Sequence, residues 1–136
     1  MTEVSVVVGG LEIPQTLVAA IASGRWRVPE TSKLIDVFAD EPQLPEFYDL
    51  ASIERQNASW HAFELGDVWG HVSDGSIGVD PKRSLVIADL GPDMPIALDY
   101  RISSSSPSVI YLRYQATPVW TLVADSIDDV LARLNL

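Results

Sequence analysis

The residues best suited to chemistry lie in the middle of the chain, between His61 and His71. This stretch places two histidines and two acids, Glu64 and Asp67, within eleven residues. Imidazole and carboxylate groups can bind a metal ion or act as a general acid and base. Their spacing matches no helix-face metal pattern, however, and a loop can direct such side chains anywhere. The pattern favours histidines that are exposed or locally hydrogen-bonded, and leaves a metal-dependent enzyme open as an alternative.

A second set of carboxylates, Asp89, Asp93 and Asp99, brackets a predicted hairpin. Aspartates at the first two positions are ordinary turn residues. Asp99 is expected to point away from the apolar side chains beside it, where it could pair with Arg101 or Arg113. We therefore interpret all three as structural residues before catalytic ones.

Other signatures of catalysis are missing from the sequence. It contains no Gly-x-Ser-x-Gly elbow, and Gly9-Gly10 lacks the lysine and the spacing of a phosphate-binding loop. It contains no cysteine, which excludes disulfides and thiolate metal sites. We predict no catalytic residue, no metal and no cofactor.

The fold class is clearest in the last third of the chain, residues 84–136. Short runs rich in Val, Ile, Tyr and Trp are separated by Gly, Pro, Ser and Asp, a pattern typical of consecutive antiparallel strands. The predicted strands are residues 84–91, 95–101, 109–114 and 119–124. A helix then follows, with Asp125 as its predicted cap and Arg133 near its end. Its apolar stripe, which should pack on the sheet, consists of Ile127, Val130, Leu131 and Leu134.

The first half of the chain predicts helices. Pro14 suits the first position of a helix that ends before Gly24, and residues 31–40 predict a second helix. Pro45 is expected to begin a third, with an apolar stripe on one face. Periodicity fails over residues 57–83, which predicts a long irregular connection.

Composition is that of one ordinary globular domain spanning residues 1–136. The chain is 47% hydrophobic and 21% charged, which argues against disorder. No apolar stretch approaches the roughly 18–20 residues that span a bilayer, and the N-terminus lacks the pattern of a signal peptide. A soluble, cytoplasmic protein is expected.

The charge balance is unusual, with 19 acids against 9 basic residues and a net charge of −10. Direct binding to nucleic acid is disfavoured, because phosphate recognition requires a basic surface. An acidic surface would instead attract a basic protein and speed the encounter. The alternative is that the charge only maintains solubility.

The order of features in the second half resembles the SUKH superfamily, the Smi-one/Knr-four group. The resemblance rests on Val86-Ile-Ala-Asp89 with its glycine turn, Leu98-Asp99 at a strand end, Trp120 in the last strand, and the helix that follows Asp125. It implies an α+β fold: a curved antiparallel sheet of about four to six strands, with N-terminal helices and a C-terminal helix around it. It also implies that the protein is not an enzyme.

Bacterial members of that superfamily are commonly immunity proteins that bind and neutralise a cognate toxin, often a nuclease, and some eukaryotic members are regulatory scaffolds. The resemblance therefore implies an immunity protein that occludes the active site of a basic toxin. The alternative is a scaffold module unrelated to toxins, and the sequence leaves open whether it acts as a monomer or a dimer. The partner-binding residues we predict are Asp89, Asp93, Asp99, Tyr111, Trp69 and Trp120, although Trp120 and the tyrosines are expected to be core or groove residues first and contact residues second.

Overall fold

The computed structural model of the protein describes residues 5–63, 77–113 and 118–136. The helices are α1 (Gln15–Ala22), α2 (Thr31–Phe38), α3 (Leu50–Trp60) and α4 (Ile127–Leu134). The strands are β1 (Val7–Val8), β2 (Leu11–Glu12), β3 (Glu46–Phe47), β4 (Ser84–Asp89), β5 (Pro95–Asp99), β6 (Ser108–Arg113) and β7 (Val119–Ala124). The predicted α+β class is confirmed. None of the helices in these ranges has the length and apolar character needed to cross a bilayer.

The main sheet has five antiparallel strands in the order β3-β4-β5-β6-β7, so neighbours in sequence are neighbours in space. The pairing register shifts at two places, between Val86 and Ala88 in β4 and between Val109 and Ile110 in β6. Such bulges bend a strand and increase its twist, which suits a curved sheet. β1 and β2 form a separate hairpin.

The core lies on both faces of this sheet. Side chains of β4, β5 and β6 are buried almost without alternation, as expected when both faces are covered. Helix α4 contacts α1, α2, β6 and β7, whereas α3 contacts β4. The predicted stripe of α4 is confirmed, since Ile127, Val130, Leu131 and Leu134 are all buried.

The third helix begins later than predicted. Pro45 precedes a short strand, β3, and α3 starts at Leu50. Asp49 caps the helix, because its carboxylate accepts the Ser52 N–H at 2.8 Å, and that bond lowers the pKa of Asp49. The helix also continues to Trp60, so part of the predicted irregular connection is helical.

The cap of α4 also differs from the prediction. Ser126, not Asp125, occupies the cap position, and its hydroxyl accepts the Asp129 N–H at 3.2 Å. Both residue types cap well, so the sequence alone did not distinguish the two.

Asn57 of α3 takes the place of a missing strand beside β4. Strand β3 pairs only with Ala88 and Asp89, which leaves the edge of β4 at Val86 without a strand neighbour on that side. The buried Asn57 amide accepts the Val86 N–H and donates to the Val86 carbonyl, each at 2.8 Å. A third bond, to the Ile53 carbonyl, fixes the amide on its own helix. One side chain therefore satisfies both backbone groups of Val86 at the bulge.

Replacing Asn57 by alanine should destabilise the protein by about 2–4 kcal/mol, because two buried backbone groups of Val86 would lose their partners. The free energy of unfolding from chemical denaturation measures the effect. Gln56→Ala, on the exposed neighbour, is the control and should change stability by less than about 0.5 kcal/mol. Equal losses for the two variants would contradict this role of Asn57.

Candidate functional site

The structure does not bring the predicted partner-binding residues together. Trp120 and Tyr111 are fully buried. Trp120 packs near Trp60 with ring centroids 6.1 Å apart, and the Tyr111 hydroxyl donates to the Asp40 carboxylate at 2.7 Å. Both are core residues and offer no surface to a partner, a correction to the predicted set. Trp69 lies outside the described residues.

Asp99 has a structural partner. It is only 7% exposed, and its carboxylate accepts two bonds of 2.9 Å from the Arg101 guanidinium. Arg101 also donates to the carbonyls of Ile77 and Gly78. The predicted ion pair with Arg101 is confirmed, and it leaves Asp99 neutralised.

His61 is locally hydrogen-bonded. Its Nε2 lies 2.7 Å from the carbonyl oxygen of Ser84, so this nitrogen must carry the proton and donate. The ring lies against Gly9, where an added Cβ would come within 2.2 Å of Nδ1. His71, Glu64 and Asp67 lie outside the described residues. Within the described ranges, no group of three or more His, Asp or Glu side chains could hold a metal ion.

Two stretches without basic residues meet where β3 pairs with β4. Residues 34–54 contain six acids and no lysine or arginine, and residues 84–98 add Asp89 and Asp93, again with no basic residue. The pairing sets Glu46 opposite Asp89. Across the β4–β5 turn, Asp93 lines the same depression as Asp40 and Glu41. We call these five residues, Asp40, Glu41, Glu46, Asp89 and Asp93, the acidic surface.

Two open depressions flank the turn between β4 and β5. One, of about 640 Å³, has Asp40, Glu41 and Asp93 in its lining. The other, of about 450 Å³, combines acids with aromatic and apolar side chains. Its lining includes Tyr48, Trp60, Phe63, Asp89, Pro92, Asp93 and Met94. The acidic surface therefore borders an aromatic groove, at which Phe63 is 41% exposed.

The surroundings of Asp89 disfavour the ionised form of its carboxyl group. Partial burial raises its pKa, and the nearby Glu46 raises it further. The Tyr48 hydroxyl donates to Asp89 at 2.5 Å and opposes that shift, while burial and the same aspartate raise the pKa of Tyr48. Asp89 thus has a hydrogen-bond donor but, among the described residues, no ion pair with lysine or arginine.

The loop between α2 and β3 is fastened along its length. The Tyr111 bond fixes Asp40 at its start, and the Gln43 N–H donates to the Leu90 carbonyl at 2.5 Å in its middle. The backbone of Gly91 lies in close contact with Gln43. The sequence predicts a break over residues 40–45, because two prolines interrupt the helical pattern, but it does not indicate these attachments.

Gly91→Ala should destabilise the protein because its backbone has φ +152° and an added Cβ would lie 2.5 Å from the Gln43 carbonyl oxygen. Gly24→Ala is the matched control, since its φ is +76° and nothing lies within 4 Å of the added Cβ. The control measures the cost of an ordinary left-handed backbone without a clash, about 1–2 kcal/mol, whereas Gly91 adds both the clash and a conformation open essentially to glycine alone. The loss in free energy of unfolding for Gly91→Ala should exceed that of the control by at least about 1 kcal/mol in chemical denaturation. An equal or smaller loss would show that the loop moves away from the added Cβ at no cost.

Two substitutions should move the pKa of Asp89 in opposite directions. Glu46→Gln removes a repelling charge and should lower it, whereas Tyr48→Phe removes a donor to the carboxylate and should raise it. A carbon-13 NMR titration of the carboxyl group measures both, with Glu30→Gln as a distant control. Shifts of the same sign for the two variants would contradict these assignments.

The raised pKa of Asp89 also predicts how the stability of the protein changes with pH. Because the pKa of Asp89 is raised on folding, its ionised form destabilises the folded state. Asp89 therefore does not destabilise the fold at a pH below its unfolded-state pKa. The free energy of unfolding should fall as the pH rises from that value to the folded-state pKa, and Asp89 should cause no further change above it.

Comparison of the chain with protein-family models, with curated proteins and with solved structures gave no match.

Proposed function

We propose that the protein is a non-enzymatic protein-binding domain that binds a basic protein through the acidic surface. The proposal rests on one observation: two stretches without lysine or arginine, residues 34–54 and 84–98, meet where β3 pairs with β4. None of the five carboxylates forms an ion pair with a lysine or arginine of the described residues, in contrast to Asp99 with Arg101. Tyrosines donate to Asp40 and Asp89 without cancelling their charge. The surface is thus ordered and negative.

Charge and shape have separate effects on binding. A cluster of like charges attracts an oppositely charged partner over about a Debye length, roughly 8 Å at physiological salt, and raises the association rate. Once contact is made, desolvated apolar side chains supply most of the affinity. The aromatic groove beside the acids, with Trp60 and Phe63 in its lining, provides such a surface.

The resemblance to the SUKH superfamily supports a role as an immunity protein. A nuclease toxin has a basic groove that binds phosphates, and an acidic surface can occupy that groove. Neutralisation would then be steric and electrostatic, with no chemical step by this protein. Asp89 and Asp93 remain predicted contact residues under this proposal.

Reversing two charges of the acidic surface, Glu41→Lys with Glu46→Lys, should abolish capture of a basic protein from the source cells. Both side chains are exposed, so the fold should persist. The matched control, Glu30→Lys with Asp125→Lys, changes two other exposed acids and gives the same net charge. Wild type and control should retain one protein of isoelectric point above about 9, identified by mass spectrometry, that the first variant loses.

The salt dependence and the partner's own activity refine the result. Association should slow by about tenfold or more at high ionic strength if charge steers the encounter. An immunity role requires that the captured protein is toxic or nucleolytic alone and inactive in the complex; an active partner would indicate a scaffold instead. Equal loss by the control variant would mean that only net charge matters and would refute a specific surface.

A further inference from the structure

Leu44 stands out in the loop between α2 and β3, which carries Asp40 and Glu41 of the acidic surface. Its side chain is 92% exposed. Its backbone has φ 62°, in the left-handed region that leucine rarely adopts and that glycine or asparagine occupies more readily. Leucine therefore suits neither the conformation nor the exposure of this position. Exposure alone would not be informative, since single exposed apolar residues are common.

The surrounding structure holds Leu44 in this conformation. The preceding residue, Gln43, is fixed to Leu90 by its backbone N–H and lies in close contact with Gly91. Pro45 follows, and β3 then pairs with β4. The chain must turn outward between these attachments, and Leu44 is the residue at which it turns. Its side chain is presented on a rigid support, so little conformational entropy would be lost when a partner binds it.

Carboxylates precede and follow this leucine in the sequence. Glu41 and Glu46 lie three and two residues away in the sequence, and both are exposed. Gln43 lines the same depression as Glu41 and Asp93. An apolar contact beside a charged rim, here the carboxylates of the acidic surface, is the usual anatomy of a protein interface.

We propose that Leu44 is the apolar contact residue of the acidic surface, and that it enters an apolar pocket bordered by lysine or arginine side chains on the partner protein. This inference rests on the proposed function, because the charge of the rim defines the partner as basic. The charged rim raises the rate of association with the partner, and the apolar contact of Leu44 lowers the rate of dissociation. A strained and exposed leucine is thus retained for recognition and not for stability.

The variant Leu44→Asn tests the effect on binding separately from the effect on stability. Asparagine tolerates the left-handed conformation, so the variant should be at least as stable as wild type in chemical denaturation. Its binding should weaken by about tenfold or more, mainly through faster dissociation. The probe is the basic protein that wild type retains and the Glu41→Lys, Glu46→Lys variant loses.

Ile102→Asn is the matched control. Ile102 is 96% exposed, has no left-handed backbone, and lies beyond the opposite end of β5 from the β4–β5 turn, next to Arg101. Its substitution should leave binding unchanged. A photo-crosslinking residue at position 44 should also attach to an apolar site of the same basic protein, flanked by lysine or arginine, whereas one at position 102 should not.

The outcomes distinguish the two proposals. If the basic protein binds Leu44→Asn as tightly as wild type, or crosslinks equally from position 102, the role of Leu44 is refuted while the acidic surface stands. If no protein shows the required dependence on Glu41 and Glu46, the proposed function fails and this inference fails with it.

Discussion

The rest of the structure depends on how the edge of β4 is completed beyond the two residues of β3. Backbone groups that are buried without partners are costly, so a strand this short demands a substitute. The Asn57 amide provides one at Val86, and the Trp60 indole adds a bond of 2.9 Å to the Ser84 hydroxyl. These contacts fix α3 against the sheet, and they thereby fix the wall of the aromatic groove that α3 contributes.

The short β3 also explains the acidic surface. Because the chain pairs with β4 only at Glu46 and Phe47, the preceding residues run as a loop beside the β4–β5 turn. Tyrosine hydroxyls hold two carboxylates of the acidic surface, those of Asp40 in the loop and Asp89 in β4, and a hydroxyl donor leaves the negative charge in place. An arginine at the same positions would have ordered the loop equally well but cancelled the charge. Hydrogen bonding from neutral donors is what allows this surface to be both rigid and negative.

Patterns local in sequence could be predicted, and features set by distant contacts could not. The strands of the second half and the stripe of α4 follow from alternation, helical spacing and turn residues. Strand β3 could not be found in this way, because it exists only through pairing with β4, and Pro45 resembled a helix start. The candidate site divides likewise: Asp89 and Asp93 follow from turn chemistry, whereas the bond from Tyr111 to Asp40 joins residues 71 positions apart and left no sequence signal. Leu44 gave no periodic signal at all.

Leu44 shares a loop with Asp40 and Glu41 of the acidic surface, and charge and apolar contact act at different stages of binding. Long-range charge acts before contact and is screened by salt, whereas apolar contact acts only after water has been excluded. A partner guided to the carboxylates gains residence only if an apolar group lies at the centre of the same surface. The bond of Gln43 to Leu90 and the close approach of Gly91 to Gln43 fix the chain just before Leu44, whose side chain is exposed between Glu41 and Glu46 in the sequence. Under the proposed binding to a basic protein, the turn that strains Leu44 also exposes the side chain that the partner would contact.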